Sequence, residues 1–273
     1  MKVALLQICA TDKKEANLKQ ASGLAQQALS QGAQFVLLPE VFNFRPGPSA
    51  RPLKEQYLQA AESIPGPSTH AFRALARSYK ASVLLGSMLE KAKRGHVYNT
   101  SVFIDPHGQI TSKYRKIHLF DASLGDNRIK EADIFLSGRR YMTAKAGEFR
   151  VGLSICYDLR FPGLYQNYSR RGVEILTVPS CFTKQTGQAH WEVLLRARAI
   201  ENLCYVLAPN QVGENAQGIR AYGNSMVVSP WGEVLARGSA EAQEIIFADI
   251  DLEQVRSARS ILPGILPLKR KRI

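Results

Sequence analysis

Cysteine is scarce in this chain. Cys9, Cys156, Cys181 and Cys204 are the four in 273 residues, far apart and with no C-x-x-C pair. That spacing speaks against a disulfide framework and against a zinc site, and no other pattern implies a metal or cofactor. Long apolar runs are missing too. None approaches the roughly 18 residues of a membrane span, and Met1-Lys2-Val3-Ala4 leads straight into a strand pattern instead of a signal peptide. The expectation is a cytoplasmic protein with no membrane partner. Acidic residues are outnumbered, 23 Asp and Glu against 36 Lys and Arg, for a formal net charge of +13. Lys269-Arg270-Lys271-Arg272 supplies four of these charges as a basic tail, and 13 − 4 leaves +9 along the rest. No RNA- or DNA-binding signature goes with them, so nucleic acid is not an expected partner. A basic field also favours anionic small substrates.

What the chain has is an apolar fraction of 45%, enough for a large core in one domain spanning residues 1–273, with 269–273 as its tail. Lys2 to Ile8 reads as a strand, Lys14 to Gln31 as a helix stopped by Gly32, and Phe35 to Leu38 as a buried strand ending at Pro39-Glu40. Asn43 to Pro52 is a loop, Pro65 to Tyr79 a helix, and Ser82 to Gly86 a strand. Tyr98 to Ile104 and Gln109 to Tyr114 form a hairpin around Asp105-Pro106-His107-Gly108.

The second half repeats this order. Arg150 to Cys156 resembles Lys2 to Cys9, terminal cysteine included, and a helix follows from Gly163 to Arg171. Glu174 to Pro179 matches Phe35 to Pro39, His190 to Asn202 is an amphipathic helix, and Cys204 to Ala208 is a strand. Met226 to Val234 mirrors Val102 to Ile110. Two such halves, each with helices on one face of a sheet, bury their bare faces against each other. The expected fold is α/β, a four-layer α-β-β-α sandwich with an internal pseudo-two-fold repeat.

Three residues stand out at strand ends: Glu40, Lys116 and Cys156. Cys156 closes a buried strand just before a strand-to-helix turn, where open α/β sheets place their chemistry. Lys116 is set among Tyr114, Ile117 and Leu119, and a lysine in apolar surroundings needs an anionic partner. Glu40 follows an equally apolar run. A thiol becomes a nucleophile when a base takes its proton or a cation stabilises the thiolate. Glu40 can be that base, Lys116 can stabilise thiolate and oxyanion, and the backbone N–H of Tyr157 can be a second oxyanion donor. Together they would let a sulfur anion exist at neutral pH.

The strings around these residues, Phe35-Val36-Leu37-Leu38-Pro39-Glu40, Tyr114 to Asp121 and Cys156 to Pro162, resemble the nitrilase superfamily of carbon–nitrogen hydrolases over nearly the whole chain. The resemblance implies the same four-layer sandwich, a homodimer formed through the helix beside the nucleophile, and a Glu-Lys-Cys triad. Glu40 would be general base, Lys116 oxyanion stabiliser and Cys156 the acyl-forming nucleophile. Glu131 matches a supporting glutamate, although Ala132 and Ser137-Gly138 stand where the family usually has serine and Pro-Gly. Within the superfamily, Cys156 to Pro162 and His190 to Asn202 are similar to the deaminated-glutathione amidases and, less closely, to the ω-amidases. That implies a small-molecule amide bearing carboxylates as substrate. Arg160 matches an arginine for a substrate carboxylate, with a structural salt bridge to Asp158 as its plainer explanation. Phe182 matches a pocket-wall aromatic. Nitrile or carbamoyl chemistry on the same triad, and a catalytically silent binding protein, are the alternatives. His118 is read as structural, Cys181 and Cys204 as core, and Cys9 as the nucleophile's counterpart without its companions.

Overall fold

The computed structural model describes residues 1–93, 95–124, 127–214 and 218–263, with the backbone alone for 122–124 and 127–129. The basic tail lies outside the described residues.

The first half runs β1 (Lys2–Gln7), α1 (Lys14–Ser30), β2 (Phe35–Leu37), α2 (Leu53–Ala60), α3 (Pro67–Tyr79), β3 (Ser82–Lys91), β4 (Val97–Ile104) and β5 (Ile110–Arg115). A small hairpin of β6 (Asp121–Leu124) and β7 (Asn127–Lys130) leads into a single helical turn at Glu131–Asp133. The second half runs β8 (Thr143–Ala146), β9 (Phe149–Leu153), a tight turn over Cys156–Arg160, α4 (Pro162–Ser169), β10 (Ile175–Thr177), α5 (Lys184–Asn202), β11 (Tyr205–Ala208), β12 (Met226–Val228) and β13 (Val234–Arg237). β14 (Glu244–Asp249) and α6 (Leu252–Ile261) follow.

Two six-stranded sheets result, ordered β14-β1-β2-β3-β4-β5 and β13-β12-β11-β10-β9-β8. In each, three central strands are parallel and the flanking strands antiparallel. Strand alternation sets the layers. Val3, Leu5, Phe35, Leu37, Leu84 and Phe103 point into one core with Val151, Leu153 and Ile175 of the other sheet. Their neighbours Ala4, Leu6, Val36, Leu38, Val83 and Leu85 pack outward on α1 and α3 through Ala21, Ala25, Leu29, Phe72 and Ala76. The expected helix–sheet–sheet–helix sandwich is what forms.

Several elements were not anticipated: α2, the β6–β7 hairpin, β8, β14 and α6. β14 comes from the far end of the chain to flank β1, as β8 flanks β9, with Lys2 opposite Asp249 and Gln7 opposite Glu244. α5 also begins earlier than His190, because the Thr183 side chain caps it by accepting from the Thr186 N–H.

The repeat has a different register from the one read off the cysteines. Val3 pairs with Phe35 and Val151 with Ile175, each partner four residues before its proline, Pro39 or Pro179. Counting on from Val3 and Val151, Ile8 occupies the place of Cys156, and Cys9 falls opposite Tyr157. A slip of one residue on a strand exchanges its two faces, so Cys9 is no counterpart of the nucleophile.

Candidate active site

The two sheets meet closely where β2 and β10 end. A Cβ on Gly86 would lie 1.8 Å from the Leu38 carbonyl oxygen and 2.5 Å from the Pro179 side chain, so only glycine allows this approach. The approach brings Pro39-Glu40 beside Pro179-Ser180-Cys181. The Cys181 N–H donates to Glu40 Oε2 at 2.9 Å, and the Cys156 N–H to the Pro179 carbonyl at 2.9 Å.

The base and nucleophile positions both carry backbone strain. Cys156 has φ +49° and Val41, next to Glu40, has φ +47°, left-handed values that cost energy for a residue with a Cβ. Buried Asp158 holds the nucleophile turn. It accepts from the Ile155 N–H at 2.9 Å, the Tyr114 hydroxyl at 2.7 Å and the His118 N–H at 3.0 Å, and its Oδ1 is 2.7 Å from His118 Nδ1. The Cys156 turn is thereby tied to the strand that delivers Lys116. His118 stacks on Phe161 at 3.6 Å, which fits its structural reading.

Lys116 is 1% exposed, and its Nζ sits 2.8 Å from Glu40 Oε1 and 2.9 Å from Glu131 Oε2. Glu131 also accepts from the Phe120 N–H at 2.7 Å. A Cβ on Gly138 would lie 2.1 Å from the Arg115 carbonyl oxygen, and the Gly138 N–H donates to the Lys116 carbonyl at 2.7 Å. The segment around Glu131 therefore presses directly on the lysine despite its departure from the family pattern. Burial pulls the Lys116 ammonium down, but the Glu131 and Glu40 carboxylates outweigh it and hold the group well above its usual value. Burial pushes the Glu131 carboxyl up, against the pull of Lys116 and with the push of Glu40.

Burial also drives the Cys156 thiol well above its ordinary range, and the Glu40 charge adds to this, while Lys116 and the Cys181 N–H pull the other way. Burial thus favours a neutral thiol over the standing sulfur anion expected from the sequence, beside a carboxylate placed to take its proton. Either side of Tyr157, the Cys156 and Asp158 N–H groups bond to Pro179 and Ile155 carbonyls. Among the described residues no backbone bond engages the Tyr157 N–H, which can serve an oxyanion.

The model of the carbon-nitrogen hydrolase family matches residues 2–260. The chain belongs to that family. Within the nitrilase superfamily, this hydrolase is 39% identical over 263 residues to the Omega-amidase NIT2 of Bos taurus, covering 96% of this chain and 92% of that protein. It is 35% identical over 267 residues to a deaminated glutathione amidase of Synechocystis, covering 96% of each. Among solved structures, the NitFhit protein of C. elegans matches with a TM-score of 0.88 and 36% identity. That match covers 96% of this chain and 63% of the longer NitFhit chain.

In this hydrolase Glu40, Lys116, Glu131, Cys156, Tyr157, Arg160 and Phe182 all line one cavity of about 510 Å³. Arg160 does not pair with Asp158. Its Nη2 is 3.2 Å from His190 Nδ1, and its guanidinium lies 5.7 Å and 5.5 Å from the Tyr157 and Phe182 rings. Phe182 forms wall and core at once, its ring 4.8 Å from that of Trp191. Cys181 is only half-buried: it packs against the small core cluster of Val41, Phe44 and Phe135 and also lines the cavity, whereas Cys204 is buried as expected.

Sequence reasoning missed two neighbours of the base. Asn99 Nδ2 donates to Glu40 Oε1 at 2.9 Å, and its Oδ1 is buried without a partner. Tyr57, on the unanticipated α2, lines the cavity, and burial followed by the charges of Glu131, Cys181 and Glu40 pushes its hydroxyl up. The strand position of Asn99 beside Lys116 was the one available signal, because the Lys116 N–H pairs with the Asn99 carbonyl at 2.9 Å.

Proposed function

We propose that this hydrolase is an amidase for small, carboxylate-bearing amides, with deaminated glutathione as the leading substrate and 2-oxo acid ω-amides second. One observation carries the reading: a buried lysine held between two carboxylates beside a strained, buried cysteine, in a cavity with an arginine that has no carboxylate partner among the described residues. The names of the relatives support both substrates.

The chemistry follows from the charges. Glu40 takes the proton of Cys156 as the sulfur attacks the amide carbon, forming a C–S bond and an oxyanion. Lys116 and the Tyr157 N–H stabilise that oxyanion. Glu40 returns the proton to the nitrogen, the C–N bond breaks and the amine leaves a thioester. Water then attacks the thioester, giving its proton to Glu40. The C–S bond breaks, the acid departs and the thiol is restored. Glu131 keeps the ammonium aimed, and Arg160 takes an acyl-side carboxylate with Phe182 as wall. No cofactor enters these steps.

The site draws Glu40 and Lys116 from one half and Cys156 from the other, so the chain acts as a single domain. A homodimer belongs to this reading. What supports it is a set of exposed apolar side chains, Val193 at 68% and Ile200 at 44% on α5, with Trp231, next to the Gly232 that meets Ile200, at 52%. Four unpaired cysteines fit a reducing, cytoplasmic setting. The partner is then a small molecule, neither membrane nor nucleic acid.

The test is intact-mass analysis after brief exposure to deaminated glutathione, 2-oxoglutaramate and a simple nitrile. An acyl adduct on the chain, lost in Cys156→Ala, is the expected result. Amide hydrolysis retained in that variant, or a preference for the nitrile, would refute the proposal.

A further inference from the structure

A second arginine lines the same cavity. Arg45 follows Glu40 on the loop that begins with the strained Val41, and Pro46 and Pro48 stiffen it on the other side. The residue is 3% exposed. Its Nη2 donates to the Ile219 carbonyl at 3.1 Å, while its Nη1 is buried with no hydrogen-bond partner. No carboxylate lies within ion-pair distance of it among the described residues. A buried guanidinium with an idle N–H and no counter-charge is costly, and burial of this kind is relieved when an anion arrives. Its charge acts on Tyr57 and Cys181, both in the cavity wall.

The side of the scissile bond follows from the chain. Arg160 belongs to the turn of Cys156, which retains the acyl portion. Arg45 belongs to the loop of Glu40, which in the proposed mechanism hands its proton to the leaving nitrogen. About 510 Å³ is also generous for an amide whose leaving group is only ammonia. We infer that Arg45 receives a carboxylate on the amine portion of the substrate, so that the site takes amides flanked by an acid group on each side. The inference rests on the amidase reading. It separates the two substrate classes, because the amine released from deaminated glutathione ends in a glycine carboxylate and that from an ω-amide is ammonia.

The experiment is a two-by-two comparison of kcat/KM. Wild type and Arg45→Gln are each assayed on deaminated glutathione and on its analogue with the glycine carboxylate amidated. Amidation is expected to cost the wild type about ten- to hundredfold, mostly in KM, and to cost Arg45→Gln several-fold less, since the two changes remove the same pair. Equal costs of amidation in both proteins would overturn the inference even if the variant is less stable. Should Arg45→Gln not fold, Arg45→Lys moves the charge and removes the guanidinium N–H, so its amidation penalty should also shrink, and a penalty equal to the wild type's would overturn the inference. Wild-type hydrolysis indifferent to amidation sinks this inference alone, whereas failure to hydrolyse either amide sinks the amidase reading as well.

Discussion

The pseudo-two-fold repeat gives this molecule two equivalent strand-end junctions, and among the described residues only one gathers a thiol, a carboxylate and an ammonium. At one, Cys156 ends its strand, Glu40 follows Pro39, and Lys116 follows β5. At the related places stand Ile8, Ser180 after Pro179, and Ala240 beyond β13. The backbones agree closely enough that Val3 and Val151 meet their parallel neighbours at the same step. The side chains do not. Gln7 satisfies the second junction, its Nε2 donating hydrogen bonds to the Ser239 and Ala242 carbonyls, and Ile8 is buried. The fold supplies a strand-end crevice twice, and reactivity needs a thiol, a base and a cation together in one of them.

The comparison breaks most sharply at the nucleophile. Cys156→Ala should lower amide hydrolysis by about four orders of magnitude or more, while Cys9→Ala, outside the cavity, should stay within about twofold in kcat/KM. Equal losses would restore Cys9 as a counterpart. Glu40→Gln should cost about 10³-fold in kcat. It should also speed iodoacetamide alkylation of Cys156 at neutral pH. The sign follows from the balance: burial and the Glu40 charge push the thiol up and Lys116 pulls it down, so removing Glu40 takes away one of the two pushes and raises the thiolate fraction. Slower alkylation in that variant would mean the thiolate is already standing in the wild type. Lys116→Arg should lose about a hundredfold, because a planar fork cannot occupy the place of a point charge wedged between two carboxylates. Full activity there would show that sign of charge alone suffices. Asp158→Asn replaces an acceptor of several bonds with a mixed group. It should cost about 2 kcal/mol in denaturant melts and about tenfold in kcat. A stability loss without a kinetic one would make Asp158 purely structural.

Much of this was legible locally. The alternation of Lys2 to Ile8 and the unbroken apolar run of Phe35 to Leu38 encode strands, the unbroken run because a sheet covered on both faces wants apolar side chains on each. Glu40 and Cys156 stood out because each puts a reactive group at the abrupt end of an apolar run, and Lys116 because Tyr114, Ile117 and Leu119 flank it. β14 and β8 were not legible, because the pairing partner of a flanking strand is set by proximity in space and not by neighbours along the chain. The exchange of Ile8 for Cys9 was missed because matching letters outweighed register, which appears only when hydrogen-bonded neighbours are known. Arg45 and Tyr57 gave no local signal, being one arginine and one tyrosine among many, and Asn99 offered only its strand position beside Lys116.

The sequence alone determined the layer order and the repeat and singled out Glu40, Lys116 and Cys156, since periodicity and residue chemistry are carried by neighbours along the chain. Only tertiary structure decided that burial favours the neutral thiol, that Lys116 is shared by two carboxylates, and which arginines lack a counter-charge. Those are properties of desolvation and of charges a few ångströms apart, and both arise only when segments as distant as residues 40, 116 and 156 are folded against one another.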